Sequence, residues 1–545
     1  MRKLGAISRR LKQVFQIPSS FPYVKAAIEN SDNVPSDERV YHGGIWLPSS
    51  TVGTAHTFFL GAPGSGKTTL VYLMIRNILR KLRLGTNRHL IFYDAKGEAY
   101  PLLIGMGAPQ ELIHIMDPFD DRGSAWALAK DITSPAAAME VGTVFVPERN
   151  EMQPFFPEAA RSLIGGTMEA LLQLAPGKWT LRDVVVVLRE RERLIKVLSL
   201  VKSTRHLPDK FIRGNETTDS IVGGIENIVR RLSFVAAAWE HAPRSVSVDE
   251  WIRGESIFLL SSNPMLESTL IQLNKALLHR VSQAILSQPE ARHQMIPPQF
   301  WIVIDELRLA GKLDFLPKFL VGSRSKGGCA VLAAQDLEGV CDTYGDHLGY
   351  EIVGIPRNKA FLKISEPRSA RYASEHFGQQ EVEITRYTHN WGSSTSTSMQ
   401  GSSSTSSRGV SVTKMLHTRP AANARNFMMF PEANPLNGIT GCFDTACIGA
   451  PYYVNFPGAF IEKHRPKPDP AHLELVSRPA EHQYLRDWDE ADLRRLGLEC
   501  HLDLLAKVEA RPAKETQKQK QGKKGDAGSG TQDGGLFQLL PKRKQ

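Results

Sequence analysis

The chain has 545 residues, 41% hydrophobic and 23% charged, with a formal net charge of +10. That is enough for two or three domains around a large core, and it is not the composition of a fibrous or disordered chain. No run of about 18 apolar residues occurs, so no transmembrane helix is expected. The basic start Met1–Lys12 lacks the long apolar stretch of a signal peptide.

The positive charge sits at the ends. Residues 511–545 hold nine Lys/Arg against three Asp/Glu, and residues 1–12 hold five Lys/Arg and no acid, which leaves residues 13–510 near −1. The basic balance is therefore no argument that the body binds nucleic acid. The two ends suit anionic surfaces, either DNA or lipid headgroups, or else are solvated tails. The five cysteines form no C-x2-C pair, and the Cys442/Cys447 spacing is weak as a metal site. Reduced thiols in a cytoplasm are the simplest reading.

After a basic N-terminal segment, residues 1–50, the first element is a short strand at Thr54–Leu60. It runs into Gly61-Ala62-Pro63-Gly64-Ser65-Gly66-Lys67-Thr68, followed by an amphipathic pattern from Thr69 to Leu84. This is a P-loop in strand–loop–helix context, and it names the ligand class as a nucleoside triphosphate, ATP, with Mg2+. Glycines 61, 64 and 66 let the backbone turn and aim its N–H groups at phosphate oxygens. Ser65 and the helix start at Lys67 complete the cradle. Lys67 supplies a charge to the β/γ-phosphates and Thr68 a magnesium ligand; Thr69 is helix surface or a further phosphate contact.

His89–Asp94 and Glu111–Met116 read as further strands, closing the first half of a nucleotide-binding domain at 51–135. From 136 to 251 the strand signal fades, and Pro157–Leu174, Thr180–Val197 and Asp219–Ala238 read as helices of an all-α insertion. The second half, 252–465, restores the sheet with Ser256–Leu260, a helix at Leu266–Leu286, and strands at Phe300–Ile304, Ala330–Ala334 and Lys359–Ile364. Ser393–Ser407 lacks any apolar face and is expected to be a mobile Ser/Thr loop. A C-terminal helical segment at 466–510, with one helix near Asp487–Val508, and a disordered basic tail at 511–545 complete the chain. Leu536, Phe537, Leu539 and Leu540 in that tail are either a docking peptide or an ordinary terminus. The expected class is α/β, a RecA-like P-loop NTPase with a mostly parallel sheet.

Phe300–Ile304 delivers Asp305-Glu306 to the C-terminal edge of a buried strand, where ligands of open α/β sheets sit. Asp305 is expected to hold the magnesium and Glu306 to orient the attacking water. Gln335, ending the next strand, is a γ-phosphate contact, or else a helix-capping or surface residue. Arg324, between those strands, is an arginine finger acting on a neighbouring subunit or a surface residue.

These segments together resemble the coupling-protein ATPases of type IV secretion and conjugation, within the FtsK/HerA-like class of DNA-pumping motors. The resemblance is carried by His56–Gly61 leading into the P-loop, Asp94-Ala95-Lys96-Gly97-Glu98, Asp117-Pro118-Phe119-Asp120 and Trp126. It continues in Phe300–Leu307, Gly322–Gly328 and Ala334-Gln335, and it spans about Tyr41 to Phe377 with a weaker continuation to Pro457. It implies a homo-hexameric ring with ATP sites between subunits, DNA moved through the bore, and plasmid transfer in conjugation. The implied partners are relaxase and relaxosome proteins and the components of a type IV secretion channel, with the insertion receiving the DNA–relaxase substrate. The implied location is cytoplasmic, peripheral at the inner face of the bacterial inner membrane. Members usually carry an N-terminal membrane anchor; here a separate membrane protein or the basic stretch Met1–Val14 would take that role. Ala95 stands where the family has proline, and the region after Arg386 is expanded. Two other readings stay open: a recruitment receptor for secreted proteins with slow ATPase, and a cytosolic HerA-like DNA-processing ATPase.

Overall fold

The computed structural model describes residues 39–505, with interruptions at 80, 81, 83, 84, 147–154, 213–216, 263–266, 295–296, 447, 449–450 and 474–475. The basic start, the tail from 506 and its apolar patch lie outside the described residues. Among the described helices, none is long and apolar enough to cross a membrane.

In chain order the strands are β1 (Arg39–His42), β2 (Ile45–Pro48), β3 (Thr57–Leu60), β4 (Arg88–Asp94), β5 (Ile113–Ile115), β6 (Ser124–Trp126), β7 (Arg244–Val246), β8 (Ile257–Ser261), β9 (Gln299–Ile304), β10 (Gly328–Ala334), β11 (Asn358–Phe361), β12 (Gln379–Ser398), β13 (Gly401–Pro420), β14 (Ile439–Asp444) and β15 (Tyr452–Phe456). Nine of them form the central sheet, in the order β15-β14-β11-β3-β10-β9-β4-β8-β5. From β11 to β5 all pairs are parallel, and β14 and β15 extend the sheet antiparallel at one edge.

The parallel strands read as unbroken apolar runs because both of their faces are covered. Phe58, Leu60, Ile302, Ile304 and Leu332 enter one buried cluster. Phe59, Trp301, Val303 and Val331 enter the other, on the opposite face. The first cluster is continuous with the core of the insertion, so sheet and insertion share one packed interior.

The insertion is helical at Pro135–Phe145, Phe155–Leu174, Leu181–Arg189, Arg191–Leu200, Leu207–Phe211 and Thr217–Glu240. The single helix expected over Thr180–Val197 is two, broken at Glu190, whose backbone is extended. Among the described residues one departure from all-helix stands out: β7 pairs in parallel with β6 and closes the base of the insertion. Trp126 donates its indole N–H to Asp131 at 2.6 Å. Asp131 also accepts the backbone N–H of Val248 at 2.8 Å, so the entry and exit of the insertion are tied to one buried carboxylate.

Two expectations are corrected. The segment expected as a mobile Ser/Thr loop, 393–407, is the distal part of a two-stranded ribbon, paired from Gln379↔Pro420 to Ser398↔Gly401. Serine and threonine offer no apolar face, but their backbones ladder freely and threonine is a good strand former. The C-terminal helical segment is mostly an irregular strap, whose described part contains one short α-helix, Glu490–Arg495, and three single 3-10 turns. Pro466, Pro468, Pro470 and Pro479 remove the donors that a longer helix would need.

The strap is fastened by buried charge. Arg478 donates to the carbonyls of Pro118, Asp120 and His241 at 2.8, 2.9 and 3.0 Å. Further on, the fully buried Asp183 of the insertion accepts Trp488 Nε1 at 2.8 Å and the Arg495 guanidinium at 2.8 and 2.9 Å. Removing one partner of such a buried network strands the others without water. Asp183→Ala is therefore expected to lower unfolding free energy by about 3–5 kcal/mol and to speed proteolysis of the strap, read by urea denaturation and limited digestion.

Candidate nucleotide site

The site is built where β3 ends. Gly61 N–H donates to Ala334 O on β10 at 3.2 Å, and Ala62 N–H to Lys363 O beyond β11 at 2.7 Å, so the loop is anchored to both neighbouring strands. Gly64 and Gly66 have φ of 72° and 94°, a region that L side chains rarely adopt. A Cβ on Gly66 would lie 2.6 Å from Ile439 Cδ1 on β14, which shows how closely the antiparallel edge approaches the loop. Ala433 N–H also donates to Gly64 O at 3.1 Å. Ser65 Oγ is buried with no hydrogen-bond partner among the described residues.

The helix Lys67–Leu79 begins at the loop. Lys67 Nζ turns back to the carbonyls of Gly61 and Ala62, the latter at 3.3 Å. Burial pushes its pKa down, and the charges of Glu306 and Asp305 push it back up. Thr68 Oγ1 donates to Asp305 Oδ2 at 3.1 Å and lies 3.3 Å from Oδ1. Thr69 is half-buried on the same first turn.

Asp305 and Glu306 follow β9 directly and are 7% and 6% exposed. Burial raises both pKa values above the usual carboxylate range. Lys96, the Thr68 hydroxyl and Lys67 oppose this for Asp305, and Lys67 and the Gln335 amide oppose it for Glu306. Glu306 and Gln335 share a cleft of about 280 Å³ with Arg308, Leu309, Asp336 and Val340.

The structure thus brings Lys67, Thr68, Asp305, Glu306 and Gln335 together. It does not bring Arg324 to them. Arg324 lies exposed in the short turn Arg324–Lys326 before β10, whereas Gln335 follows β10. Seven strand residues separate these ends, a span of roughly 23 Å.

One residue at the site carried no role in the sequence reading. Lys96 Nζ stands 3.4 Å from Thr68 Oγ1 and 3.9 Å from Asp305 Oδ2. It is placed there by Asp94, whose carboxylate accepts the backbone N–H groups of Lys96, Gly97, Glu98 and Ala99 at 3.2, 2.9, 3.3 and 2.7 Å. The signal was the strand-end Asp followed by Lys-Gly-Glu. A carboxylate that captures four successive amides fixes the turn and so aims the lysine.

A magnesium nucleotide fits this chemistry. Thr68 and Asp305 offer paired hard oxygens of the kind Mg2+ takes. The unpartnered Ser65 hydroxyl and a Lys67 satisfied only by its own loop leave polar groups suited to phosphate oxygens.

A family model described as the type IV secretion-system coupling protein DNA-binding domain matches residues 39–440. Coupling protein TraD of Escherichia coli (strain K12) is 21% identical over 327 residues, which is 59% of this chain and 43% of that protein. The chain thus spans less than half the length of this relative. Among solved structures, the unbound monoclinic form of the bacterial conjugative coupling protein TrwBdeltaN70 superposes with a TM-score of 0.59 at 17% identity, over 88% of this chain and 99% of that one. The plasmid coupling protein TrwB in complex with ADP and Mg2+ gives 0.60 at 17% identity, over 87% and 96%. These likenesses show the RecA-like P-loop fold. With the family match covering about three quarters of its length, the chain belongs to the type IV secretion-system coupling proteins.

Proposed function

We propose that the protein is a magnesium-dependent, DNA-stimulated ATPase that moves DNA as a coupling protein, linking a relaxase–DNA substrate to a type IV secretion channel. The observation that carries this is the contact of the Thr68 hydroxyl with Asp305 at 3.1 Å, which joins the two halves of one Mg–nucleotide site. The family match and the names of TraD and TrwB supply the DNA and the conjugative setting. TrwB with ADP and Mg2+, and with a non-hydrolysable ATP analogue, supplies the ligand class.

In this reading the Gly61–Gly66 loop and Ser65 wrap the phosphates and Lys67 binds the β/γ oxygens. Thr68 and Asp305 hold magnesium. Bound magnesium supplies neutralisation of the triphosphate charge. Glu306 holds the attacking water in line, and Gln335 hydrogen-bonds the γ-phosphate from the same cleft. Arg324, remote from its own subunit's loop, serves the site of the next subunit in a homo-hexameric ring. Lys96 stands as a counter-charge between Thr68 and Asp305 when no metal is bound.

Lys67→Ala is expected to abolish hydrolysis and DNA transfer, read as phosphate release and mating frequency. Arg324→Ala is expected to lower kcat by about 10³-fold with nucleotide affinity intact. Mixing the Lys67→Ala and Arg324→Ala proteins should restore part of the turnover, because a mixed interface can hold one intact copy of each residue. No recovery on mixing would place Arg324 outside the catalytic machinery.

Asp305 gives a pH-dependent readout. Its folded-state pKa is raised by burial, so its favourable contribution is full below the ordinary carboxylate pKa and is lost as pH rises through the raised value. Nucleotide-free Asp305→Asn should therefore melt above the parent at neutral pH. The difference should shrink as pH falls into the carboxylate range, while Mg–nucleotide binding is lost at every pH. A variant Tm at or below the parent's at neutral pH would count against a carboxylate held ready for a cation.

A further inference from the structure

The ribbon β12–β13 is the one long element of the described chain whose side chains are exposed almost throughout. With 20 residues in each strand it reaches roughly 65 Å. A two-stranded ribbon is marginal alone in water. Its cross-strand register sorts its side chains. Tyr387↔Val412, His389↔Val410 and Trp391↔Arg408 are paired neighbours, so all six project from one face. Tyr387 is 64% and Trp391 75% exposed. The Arg408 guanidinium lies 4.8 Å from the centre of the Trp391 ring.

We propose that this face of the ribbon, carrying Tyr387, His389, Trp391 and Arg408, is a stacking platform for single-stranded nucleic acid. Residues i and i+2 on a strand stand about 6.8 Å apart. That is about twice the 3.4 Å rise between stacked bases, so a base fits against each successive ring. Such platforms combine aromatic faces with cations, and they tolerate any sequence because every base has a π-face. The charge agrees. Between Tyr387 and Val412 this face carries Arg408 and no acid, while Arg386 projects from the other face. Its two glutamates lie near the base, and Glu383 is paired with Lys414 at 2.8 Å. Beyond Trp391 the tip is hydroxyl-rich, with Met399 its one large apolar side chain, and offers donors for phosphate oxygens. On the motor reading above, on which this rests, the ribbon grips the strand being passed and names its form as single-stranded.

The test uses the full chain and a labelled oligo-thymidine strand, followed by fluorescence anisotropy, with a duplex of mixed sequence as control. Tyr387→Ala/Trp391→Ala should weaken single-strand binding by at least about 30-fold and leave duplex binding and DNA-free ATP turnover unchanged. Both rings are exposed, so folding is not at stake, and Trp391→Phe should keep most of the affinity. Arg408→Gln should reduce the salt slope by about 0.7. Unchanged single-strand affinity in the double variant would overturn the proposal, as would a parallel loss on duplex. A defect confined to subunit assembly, seen by sedimentation, would assign the face to a second copy of this chain and also overturn it. Single-strand binding that the double variant loses, beside turnover indifferent to DNA in the parent, would sink the motor and keep the platform. DNA-stimulated turnover with an indifferent double variant would do the reverse.

Discussion

Thr68 and Asp305 are 237 residues apart in the chain and in hydrogen-bond contact in the fold. That contact depends on the shared register of three parallel strands. Ala334 lies beside Leu60, and Leu332 beside Ile304. Because strand side chains alternate, a slip of one residue would turn Asp305 from the cleft toward a covered face of the sheet. What prevents the slip is apolar. Ile302, Ile304 and Leu332 are committed to one core, and Trp301, Val303 and Val331 to the other. The polar site is thus positioned by side chains that never touch it. The burial that sets the register also holds Asp305 and Glu306 in a medium that disfavours their charge, leaving carboxylates whose cost a bound cation relieves.

The same logic binds the insertion and the strap to the nucleotide fold. The Asp117–Asp120 segment, which joins the first half of the sheet to the insertion, is a docking point. Asp117 accepts Ser261 Oγ at 2.6 Å and Phe119 N–H at 2.9 Å, while Arg478 of the strap takes the Pro118 and Asp120 carbonyls. Arg182 of the insertion, itself buried, pairs with Glu240 and Asp492. Strap, insertion and sheet are therefore linked through desolvated charge pairs, which resist sliding because each partner left alone would be costly.

Legibility in the sequence followed the range of the forces involved. The P-loop could be read because its chemistry is local: glycines at fixed offsets and a lysine at a helix start. Asp305-Glu306 could be read because a fully buried strand announces its own end. Fold class and most parallel strands followed from unbroken apolar runs. The antiparallel edge β14–β15 was missed: its burial pattern is mixed and its partner β11 is some 80 residues away. Lys96 was hidden because its position depends on four backbone amides folding around Asp94, which no side-chain pattern records. The ribbon was hidden for the opposite reason. Its ladder is purely backbone, and a run of serine and threonine carries no periodicity to reveal it. The strap, in turn, is held by single polar side chains whose partners, the carbonyls taken by Arg478 and the carboxylate of Asp183, are distant in the chain.

The placement of Arg324 and Gln335 has a mechanical consequence for the proposed ring. They stand at opposite ends of β10, a seven-residue bar buried on both faces between β3 and β9. Packed interiors transmit displacement more readily than they absorb it. In the proposed ring, a change in what Gln335 contacts at one subunit's nucleotide would be felt at the other rim, and so at Arg324, through the packed sheet without any slip of its register. If that rim faces the next subunit's loop, the occupancy of one site biases the completeness of the next through the packed sheet. The sites of such a ring would then fire in order rather than independently, because the group each site lacks is mounted on its neighbour's sensor.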